Sequence, residues 1–462
     1  MNIRAWCPRL AAVALATITV AACQDDPTTA PPTQTTPFQA ARTKSPDAPN
    51  HVFVMRQGVP ASFAAAVRSA GGQVVRSWRD IGVVTVAGLS GQSAARLARQ
   101  PGVESVALDR QVQWVPRDAR NMIQGRRRLG GRTDQSDAFF FDQFQWNIRQ
   151  IQADDAWHTT PQGRGALVCV LDSGVDPDHI DLAGKVDLGI STSFVPGEPT
   201  FFDFFFHGTA ISSIISTNGI AIASVAPDAR LCAVKVLDRT GSGSFESLIA
   251  GIMYAADVGA DVINMSLAGV IPIELLRDPR TGVRDLVKAT QRAVDYARRR
   301  GTLSVAAASN DALDRNRNEY VILPADLHHV VSVGATAPVN QQNFDQLASY
   351  SNYGKRKVDV FAPGGDLVAG GVLQDLIIVA CTSALCGDNS TYVLVAGTSA
   401  AAPHASGEAA VIESNLPGDQ FAERLEHCII ATADRITGRG NDPIFGKGRI
   451  NVLAGSECHR RH

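Results

Sequence analysis

The stretch ALVCVLD, residues 166–172, is an unbroken apolar run that ends in a carboxylate. A strand that is apolar at every position is buried on both faces, as in a parallel sheet covered by helices. Runs of the same kind recur at 229–237 (ARLCAVKVL), 260–267 (ADVINMSL), 301–309 (GTLSVAAAS) and 328–336 (HHVVSVGAT), with helical patterns at 244–259 and 283–301. The alternation predicts an α/β fold with a doubly wound parallel sheet, in which functional residues lie at the carboxyl ends of the strands.

Four polar residues stand at the ends of such segments. Asp172 ends the first run, and Asn310 follows the run at 301–309. His207 begins the helical pattern HGTAISSII, and Ser399 lies among small residues just after the apolar YVLVA. Each has a plain structural alternative: a turn Asp or Asn, a structural His, and a capping role for Ser399. Small residues around Ser399 would also let a substrate backbone approach, and a helix N-terminus favours developing negative charge.

The order Asp, His, Asn, Ser along the chain resembles that of the subtilisin-like serine peptidases. The matching stretches are 170–182 (VLDSGVDPDHIDL), 207–210 (HGTA), 260–269 (ADVINMSLAG), 305–311 (VAAASND) and 397–407 (GTSAAAPHASG). The resemblance covers residues 146–458 and implies a catalytic triad of Asp172, His207 and Ser399. It also implies an oxyanion hole formed by Asn310 and the Ser399 backbone N–H, and chemistry that requires no cofactor.

The resemblance further implies a cleft that binds an extended polypeptide by adding it to edge strands. Its residues would be Gly241, Ser242, Gly243, Ser244, Ser266, Leu267, Ala268 and Gly269, with Ala307, Ala308 and Ser309 near the pocket for the residue before the scissile bond. Ala268 and Ser309 stand where relatives carry glycine. Their additional atoms predict a narrower pocket.

Residues 50–115 have a different pattern, in which strands and helices follow the order βαββαβ. That order is typical of a small α+β, ferredoxin-like domain. The segment resembles the inhibitor-type propeptide of the same family, which predicts that the chain inhibits itself before processing. Residues 116–145 are polar and rich in arginine and glycine, so we expect an exposed connector that contains the processing site.

The N-terminal residues are typical of an export signal. Two arginines precede a short apolar core in residues 1–22, and Cys23 follows small residues as in a lipoprotein signal. The alternative is an ordinary signal peptide with Cys23 incidental. Residues 23–49 are rich in Pro and Thr and predict an unfolded tether. We expect an exported protein, lipid-anchored to the cell envelope as a precursor or released after processing, with no other membrane attachment.

Composition excludes some classes of function and leaves others open. The net charge of −2 over 462 residues gives no basic surface for nucleic acid. We expect a monomer whose partners are polypeptide substrates and its own propeptide. The remaining alternatives are a catalytically silent surface binding protein of the same fold and a hydrolase of non-peptide esters. Residues 201–206 contain five phenylalanines before His207, which predicts either buried packing or an apolar rim.

Six of the eight cysteines lie beyond the signal region, where an oxidising compartment would permit disulfides. The spacings suggest the pairs Cys381–Cys386 and Cys428–Cys458. Cys169 and Cys232 lie in apolar runs and are expected to be free, buried thiols. The cysteines do not have metal-site spacing. The resemblance suggests a structural calcium ion bound by Asp181 and Asn218; the alternative is that Asp181 caps a turn.

Overall fold

The computed structural model describes residues 50–116, 135–416, 422–438 and 442–458, and the backbone of 123–126. The expected signal peptide (1–22), Cys23 and the tether (23–49) lie outside the described residues, as does most of the connector before residue 135. Among the described residues, no helix is both long and apolar enough to cross a membrane.

The N-terminal domain has the expected βαββαβ order. Its elements are β1 (His51–Met55), α1 (Phe63–Ser69), β2 (Gln73–Trp78), β3 (Val83–Ala87), α2 (Gly91–Leu97) and β4 (Val103–Leu108). The four strands pair antiparallel in the spatial order β2-β3-β1-β4. Side chains alternate across a strand, and β1 follows that rule. Phe53 and Met55 pack with the domain's own helices, whereas Val52 and Val54 join the core of the larger domain.

The larger domain is built on the predicted parallel sheet. Its main strands are β7 (Leu167–Asp172), β8 (Thr192–Ser193), β9 (Arg230–Lys235), β11 (Val262–Met265), β13 (Leu303–Ala307), β15 (Val330–Val339), β16 (Gln342–Leu347) and β17 (Val360–Pro363). The spatial order is β16-β15-β13-β11-β7-β9-β8, with β17 also beside β15. Only β16 pairs antiparallel within this sheet as described. The structure confirms the α/β fold with a doubly wound sheet.

Shorter strands lie at the edges of this domain. They are β5 (Gln111–Gln113), β6 (Ile123–Arg126), β10 (Ser242–Ser244), β12 (Gly269–Pro272), β14 (Tyr320–Leu323), β18 (Ile377–Ala380) and β19 (Thr391–Val395). β5 lies at the end of the predicted propeptide segment and β6 in the predicted connector, and each pairs with a strand of the larger domain, β10 and β19 respectively. The expectation that residues 116–145 form an exposed connector is wrong at the described end of that segment, because Ala138, Phe141 and Phe144 are buried among core residues.

Helices cover both faces of the sheet. They are α3 (Phe141–Phe144), α4 (Trp146–Gln150), α5 (Ala153–Trp157), α6 (His207–Ile215), α7 (Phe245–Asp257), α8 (Ile273–Arg277), α9 (Val283–Arg299), α10 (Ser383–Cys386), α11 (Thr398–Asn415), α12 (Ala422–Thr432) and α13 (Val452–Ser456). α11 packs against β11, β13 and β15 and against α6. It is almost wholly buried, which suits its small and apolar residues.

Three disulfides are present in the described chain. Cys381–Cys386 and Cys428–Cys458 join the expected partners. The expectation of free thiols at Cys169 and Cys232 is wrong, because these two residues are bonded to each other. They lie directly opposite each other on the neighbouring strands β7 and β9, with their Cα atoms 4.4 Å apart. The sequence shows both strands without showing that they are neighbours.

Candidate active site

Asp172 and His207 lie in direct contact. Asp172 is the last residue of β7 and is fully buried, and His207 is the first residue of α6 and is 5% exposed. His207 Nδ1 is 2.9 Å from each oxygen of the Asp172 carboxylate. Because the carboxylate can only accept, Nδ1 carries the proton of that hydrogen bond. This fixes the neutral imidazole in the tautomer whose Nε2 accepts a proton.

Ser399 is the second residue of α11, the helix that packs against α6. Its side chain is half-buried. A buried hydrogen-bonded chain holds its backbone: Ser406 Oγ donates to Asn264 Oδ1 (2.9 Å), Asn264 Nδ2 donates to Ser266 Oγ (3.0 Å), and Ser266 Oγ donates to the Ser399 carbonyl (2.8 Å). The nucleophile candidate is thus tied to β11, at the centre of the sheet.

Asn310 follows the carboxyl end of β13 and is oriented by the residue before Ser399. Its Oδ1 accepts hydrogen bonds from Thr398 N (2.9 Å) and Thr398 Oγ1 (2.7 Å), which leaves Nδ2 directed toward the serine. A methyl group built on Gly397 would lie 3.0 Å from Ser399 Oγ and 3.4 Å from Asn310 Nδ2. Both polar atoms therefore border the same small volume beside Gly397, which is where an oxyanion donor is needed.

Sequence reasoning missed Asp203, which organises the loop that delivers His207. Its buried carboxylate accepts hydrogen bonds from five donors: Ser173 Oγ, Phe205 N, Phe206 N, Thr209 N and Thr209 Oγ1, at 2.7–2.9 Å. Phe206 adopts φ +115°, a region that residues other than glycine rarely occupy. Burial raises the pKa of Asp203, and these donors offset part of that rise. An acidic residue shortly before a helix start was the only sequence signal for this role.

The residue after Asp172 joins the two catalytic segments. Ser173 Oγ donates to Asp203 and accepts a hydrogen bond from Gly208 N at 3.0 Å. The Ser173 carbonyl accepts a hydrogen bond from the fully buried Lys235 Nζ at 2.5 Å, and Lys235 also pairs with Glu198 at 3.1 Å. The carboxyl ends of β7 and β9 and the start of α6 are therefore fixed relative to one another.

The predicted polypeptide cleft holds a segment of the chain itself. β5 pairs antiparallel with β10, so that Val112 lies opposite Gly243. Trp114 is 3% exposed, and its Nε1 donates to the Gly243 carbonyl at 2.9 Å. Its ring packs edge-on against Phe245, with ring centroids 5.4 Å apart. A side chain on Gly269 would collide with this ring, since a Cβ there would lie 2.8 Å from it.

The second edge strand predicted for the cleft, residues 266–269, is only partly a strand. Ser266, Leu267 and Ala268 lie between β11 and β12 rather than in a strand, and only Gly269 begins β12, which pairs with β14. Ala268 N nevertheless donates to the Trp114 carbonyl at 3.1 Å. The Ser266 hydroxyl donates to the Ser399 carbonyl, so this segment also supports the backbone of Ser399. Ser244 accepts a hydrogen bond from Ser247 N and caps α7.

Ala307, Ala308 and Ser309 lie at the end of β13 and are buried. Ser309 adopts φ +79°, the left-handed conformation that favours glycine. Its Oγ donates to Asp311 at 2.6 Å, and burial raises the pKa of Asp311. The narrower pocket predicted from Ser309 and Ala268 stays a prediction.

The residues suggested for calcium do not fit that ion. The buried Asp181 carboxylate accepts hydrogen bonds from Ile220 N (2.6 Å), Ala221 N (3.0 Å), Ile222 N (3.2 Å) and Tyr392 Oη (2.7 Å). The Asn218 amide nitrogen donates to the carbonyls of Ile180 and Ala183. Within the described residues, no group of three or more His, Cys, Asp or Glu side chains is arranged to hold a metal. Four protein donors thus already bind the Asp181 carboxylate oxygens that would have to coordinate calcium.

The phenylalanine run before His207 contributes to both packing and surface. Phe205 and Phe206 are 0% and 2% exposed and belong to the core. Phe204 is 42% exposed, and the Arg239 guanidinium lies over its ring at 5.3 Å. Buried packing is therefore correct for Phe205 and Phe206, and an apolar rim to the cleft stays a prediction.

Comparison with known proteins accords with this geometry. A family model described as the subtilase family matches residues 163–448. The thermophilic serine proteinase of Bacillus sp. (strain AK1) is 36% identical over 315 residues, which is 68% of this chain and 67% of that protein. Thermitase of Thermoactinomyces vulgaris is 35% identical over 316 residues, which is 68% of this chain and 96% of that protein.

A solved structure supports the fold. The epidermin leader peptide processing serine protease of Staphylococcus aureus matches with a TM-score of 0.72 and 21% identity, covering 89% of this chain and 99% of that chain. The match extends over most of the chain, so the fold is shared beyond the central sheet. The chain therefore belongs to the subtilase family and is a subtilisin-like serine endopeptidase.

Proposed function

We propose that this protein hydrolyses peptide bonds in proteins through the triad Asp172, His207 and Ser399, with an acyl-enzyme intermediate. Ser399 Oγ attacks the scissile carbonyl carbon while His207 Nε2 takes its proton. The same proton then passes to the leaving amine as the C–N bond breaks. Water, deprotonated by His207, attacks the acyl carbon, and His207 returns that proton to Ser399 Oγ as the acyl–oxygen bond breaks. Asp172 stabilises the imidazolium form of His207 in both steps.

The observation that carries the proposal is the contact between His207 Nδ1 and the Asp172 carboxylate, 2.9 Å to each oxygen. Asn310 Nδ2 and the Ser399 backbone N–H would bind the oxygen that becomes negatively charged in the tetrahedral intermediate. The complete set of chemical residues argues against a catalytically silent relative. The strand pairing at β10 favours an extended polypeptide over a small ester as substrate, because pairing of that kind requires a peptide backbone.

We also propose that the N-terminal domain is a propeptide that inhibits the enzyme until the chain cuts itself. Three features support this: β5 pairs with β10, Trp114 fills the cleft, and ion pairs link the domains. Those pairs join Arg76 to Glu246 (2.6 Å) and Glu104 to both Arg292 (2.9 Å) and Lys288. The cut would fall between β5 and β6, in residues 114–122. Export, with or without a lipid on Cys23, would bring the active monomer to its protein substrates.

The test compares wild type, Ser399→Ala and Asn310→Ala on a casein-like protein and on a small ester. We expect hydrolysis of the protein by wild type, none above background by Ser399→Ala, and a loss of about 100- to 1,000-fold in kcat for Asn310→Ala, the size known for losing one oxyanion donor in a subtilisin. Hydrolysis of the ester but not of the protein would support the alternative of a hydrolase of non-peptide esters. Inactivity of wild type on both substrates, together with the absence of self-processing, would support the silent relative.

A further inference from the structure

The segment between β18 and β19 begins with a single helical turn that is closed by a disulfide. Cys381 follows β18, Thr382 caps α10, and Cys386 is the last residue of α10. The Cys381–Cys386 bond therefore spans the turn from one end to the other. A helix of four residues has little stability of its own, because the cost of nucleation exceeds the gain from so few hydrogen bonds. We call residues 381–386 the disulfide turn.

The disulfide turn contacts two buried aspartates. Thr382 Oγ1 donates to the Asp203 carbonyl at 2.8 Å. Ser383 N and Ser383 Oγ each donate to Asp176 Oδ2 at 2.7 Å. Both aspartates and Thr382 are 0% exposed, so these hydrogen bonds lie away from water, where they are stronger. The disulfide turn thus holds two segments of the chain at once: the loop before α6 and the segment after β7.

These contacts form a closed ring that includes the first turn of α6. Thr209, two residues after His207, donates through N and Oγ1 to Asp203 Oδ2, at 2.9 and 2.7 Å. Thr209 Oγ1 also accepts a hydrogen bond from Asp176 N at 3.1 Å. The ring therefore runs from the disulfide turn through Asp176, Thr209 and Asp203 and back to the turn. Because His207 lies between Asp203 and Thr209 in the chain, movement of the disulfide turn would shift the backbone that carries the imidazole.

We propose that the disulfide turn is a positioning element for His207. Thr382 and Ser383 are its positioning residues, and the disulfide is the constraint that keeps them in place. The inference rests on the proposed endopeptidase function and deepens it: the disulfide supports turnover as well as stability. Disulfides persist in oxidising compartments, so the full activity of the enzyme is tied to such a compartment.

A second disulfide provides a matched control. The cysteines of the Cys428–Cys458 bond are 30 residues apart in the chain, whereas those of the Cys381–Cys386 bond are 5 residues apart. Closing the longer loop removes more conformational entropy from the unfolded chain, so Cys428–Cys458 should contribute more to stability. If both bonds were purely structural, the longer loop would have the larger effect on every measurement. The positioning role predicts instead that the shorter loop has the larger effect on kcat.

The experiment compares wild type with two double variants, Cys381→Ala with Cys386→Ala and Cys428→Ala with Cys458→Ala. The substrate is a peptide with a chromogenic amine directly after the scissile bond, and active sites are counted with a serine-directed covalent inhibitor. We expect kcat per active site to fall about 3- to 10-fold in the first double variant with KM unchanged, because a displaced base slows proton transfer without weakening substrate binding. We expect an unchanged kcat and the larger fall in melting temperature in the second.

Single variants test the same role without removing the disulfide. Thr382→Val removes the hydroxyl that donates to the Asp203 carbonyl and keeps the shape of the side chain, whereas Thr382→Ser retains the hydroxyl. We expect kcat to fall about 3- to 10-fold in Thr382→Val and to stay near the wild-type value in Thr382→Ser. If the first double variant does not fold, this pair of single variants decides the question.

The outcomes separate this inference from the proposed function. A wild-type kcat in the first double variant, or an equal fall in both double variants, would overturn the positioning role and leave the endopeptidase intact. A wild-type kcat in Thr382→Val, or an equal loss in Thr382→Ser, would overturn that role as well. Failure of wild type to hydrolyse both the peptide and a casein-like protein would overturn the proposed function, and this inference with it.

Discussion

The loop before α6 and the middle of α11 each contain a fully buried carboxyl group, and the two groups have opposite surroundings. Asp203, in the loop, accepts hydrogen bonds from five donors. Glu408, in α11, has no hydrogen bond of good geometry to either oxygen among the described residues. Burial raises the pKa of Glu408 well above 4.5, and the backbone of Asn451 offsets only part of that rise.

The comparison shows that burial alone does not identify a functional carboxylate. Both groups are 0% exposed. Desolvation costs each of them several kcal/mol in the ionised form, and only hydrogen-bond donors repay it. Asp203 has donors because the chain before His207 wraps around it, so its carboxylate oxygens hold that loop in place. Glu408 has only the Asn451 backbone as a weak donor, so its protonated form is favoured and its ionisation opposes folding. Asp181, with four donors, resembles Asp203.

The largest expected effect comes from removing the five-donor carboxylate. Asp203→Ala leaves three buried backbone N–H groups near His207 without an acceptor, so we expect a loss of about 3 kcal/mol or more in unfolding free energy. Displacement of His207 should also lower kcat at least 10-fold in the folded fraction. Thermal unfolding and single-turnover kinetics would measure the two effects. Ser173→Ala is the matched control, since it removes one of the five donors and leaves only the Gly208 N–H without its acceptor, and it should cost less.

A wild-type kcat in folded Asp203→Ala would break the comparison, because the carboxylate would then stabilise the fold without positioning the histidine. The variant Asp203→Asn tests the same role of the carboxylate with a smaller change in shape. The amide retains one acceptor but places a donor against donors, so its kcat should fall between those of wild type and the alanine variant.

The next effect concerns Asp181 and calcium. Asp181→Ala removes the acceptor for the loop at 220–222, and we expect a loss of about 2 kcal/mol in unfolding free energy. Because the carboxylate is already occupied by protein donors, the loss should be the same with calcium and with a chelator. Calorimetry of wild type and Asp181→Ala, each with calcium and with a chelator, measures whether calcium changes the loss of stability. A destabilisation that grows several-fold in calcium would mean that Asp181 binds the ion after all.

The effect expected at Glu408 is small at low pH and grows as the pH rises. Because the pKa is raised in the folded state, the unfolded chain loses the proton first, above pH 4.5, and wild type is destabilised progressively as pH rises. Glu408→Gln does not titrate. The difference in unfolding free energy between this variant and wild type should therefore shift in favour of the variant by up to about 1.4 kcal/mol for each pH unit above 4.5. Denaturant unfolding between pH 4 and pH 8 would measure it. A constant difference across this range would contradict the account.

Much of the fold was predictable from local pattern. The apolar runs around Cys169 and Val305 gave buried parallel strands, and polar residues at their ends, such as Asp172, marked the site edge. What the sequence did not reveal was which segments meet. The Cys169–Cys232 bond depends on β7 and β9 being neighbours, a long-range arrangement without a local signal.

The sequence predicted the candidate catalytic residues but not the residues that hold them in place. The family motifs placed Asp172, His207, Asn310 and Ser399, and the structure brings the first two into contact. Asp203 escaped notice because its role comes from five donors that are gathered only when two loops fold together. The pairing of β6 with β19 escaped notice because backbone pairing at an edge requires no particular side chains.

The most direct test of the account is the intact mass and N-terminal sequence of purified wild type beside Ser399→Ala. The account predicts that wild type is cut within residues 114–122 and that the Ser399→Ala protein keeps its N-terminal domain joined to the rest. Trp114→Ala, which weakens binding of the segment in the cleft, should be cut at the same bond at a lower rate. Identical cleavage of wild type and Ser399→Ala, in a preparation free of other proteases, would contradict the central claim that Ser399 is the nucleophile.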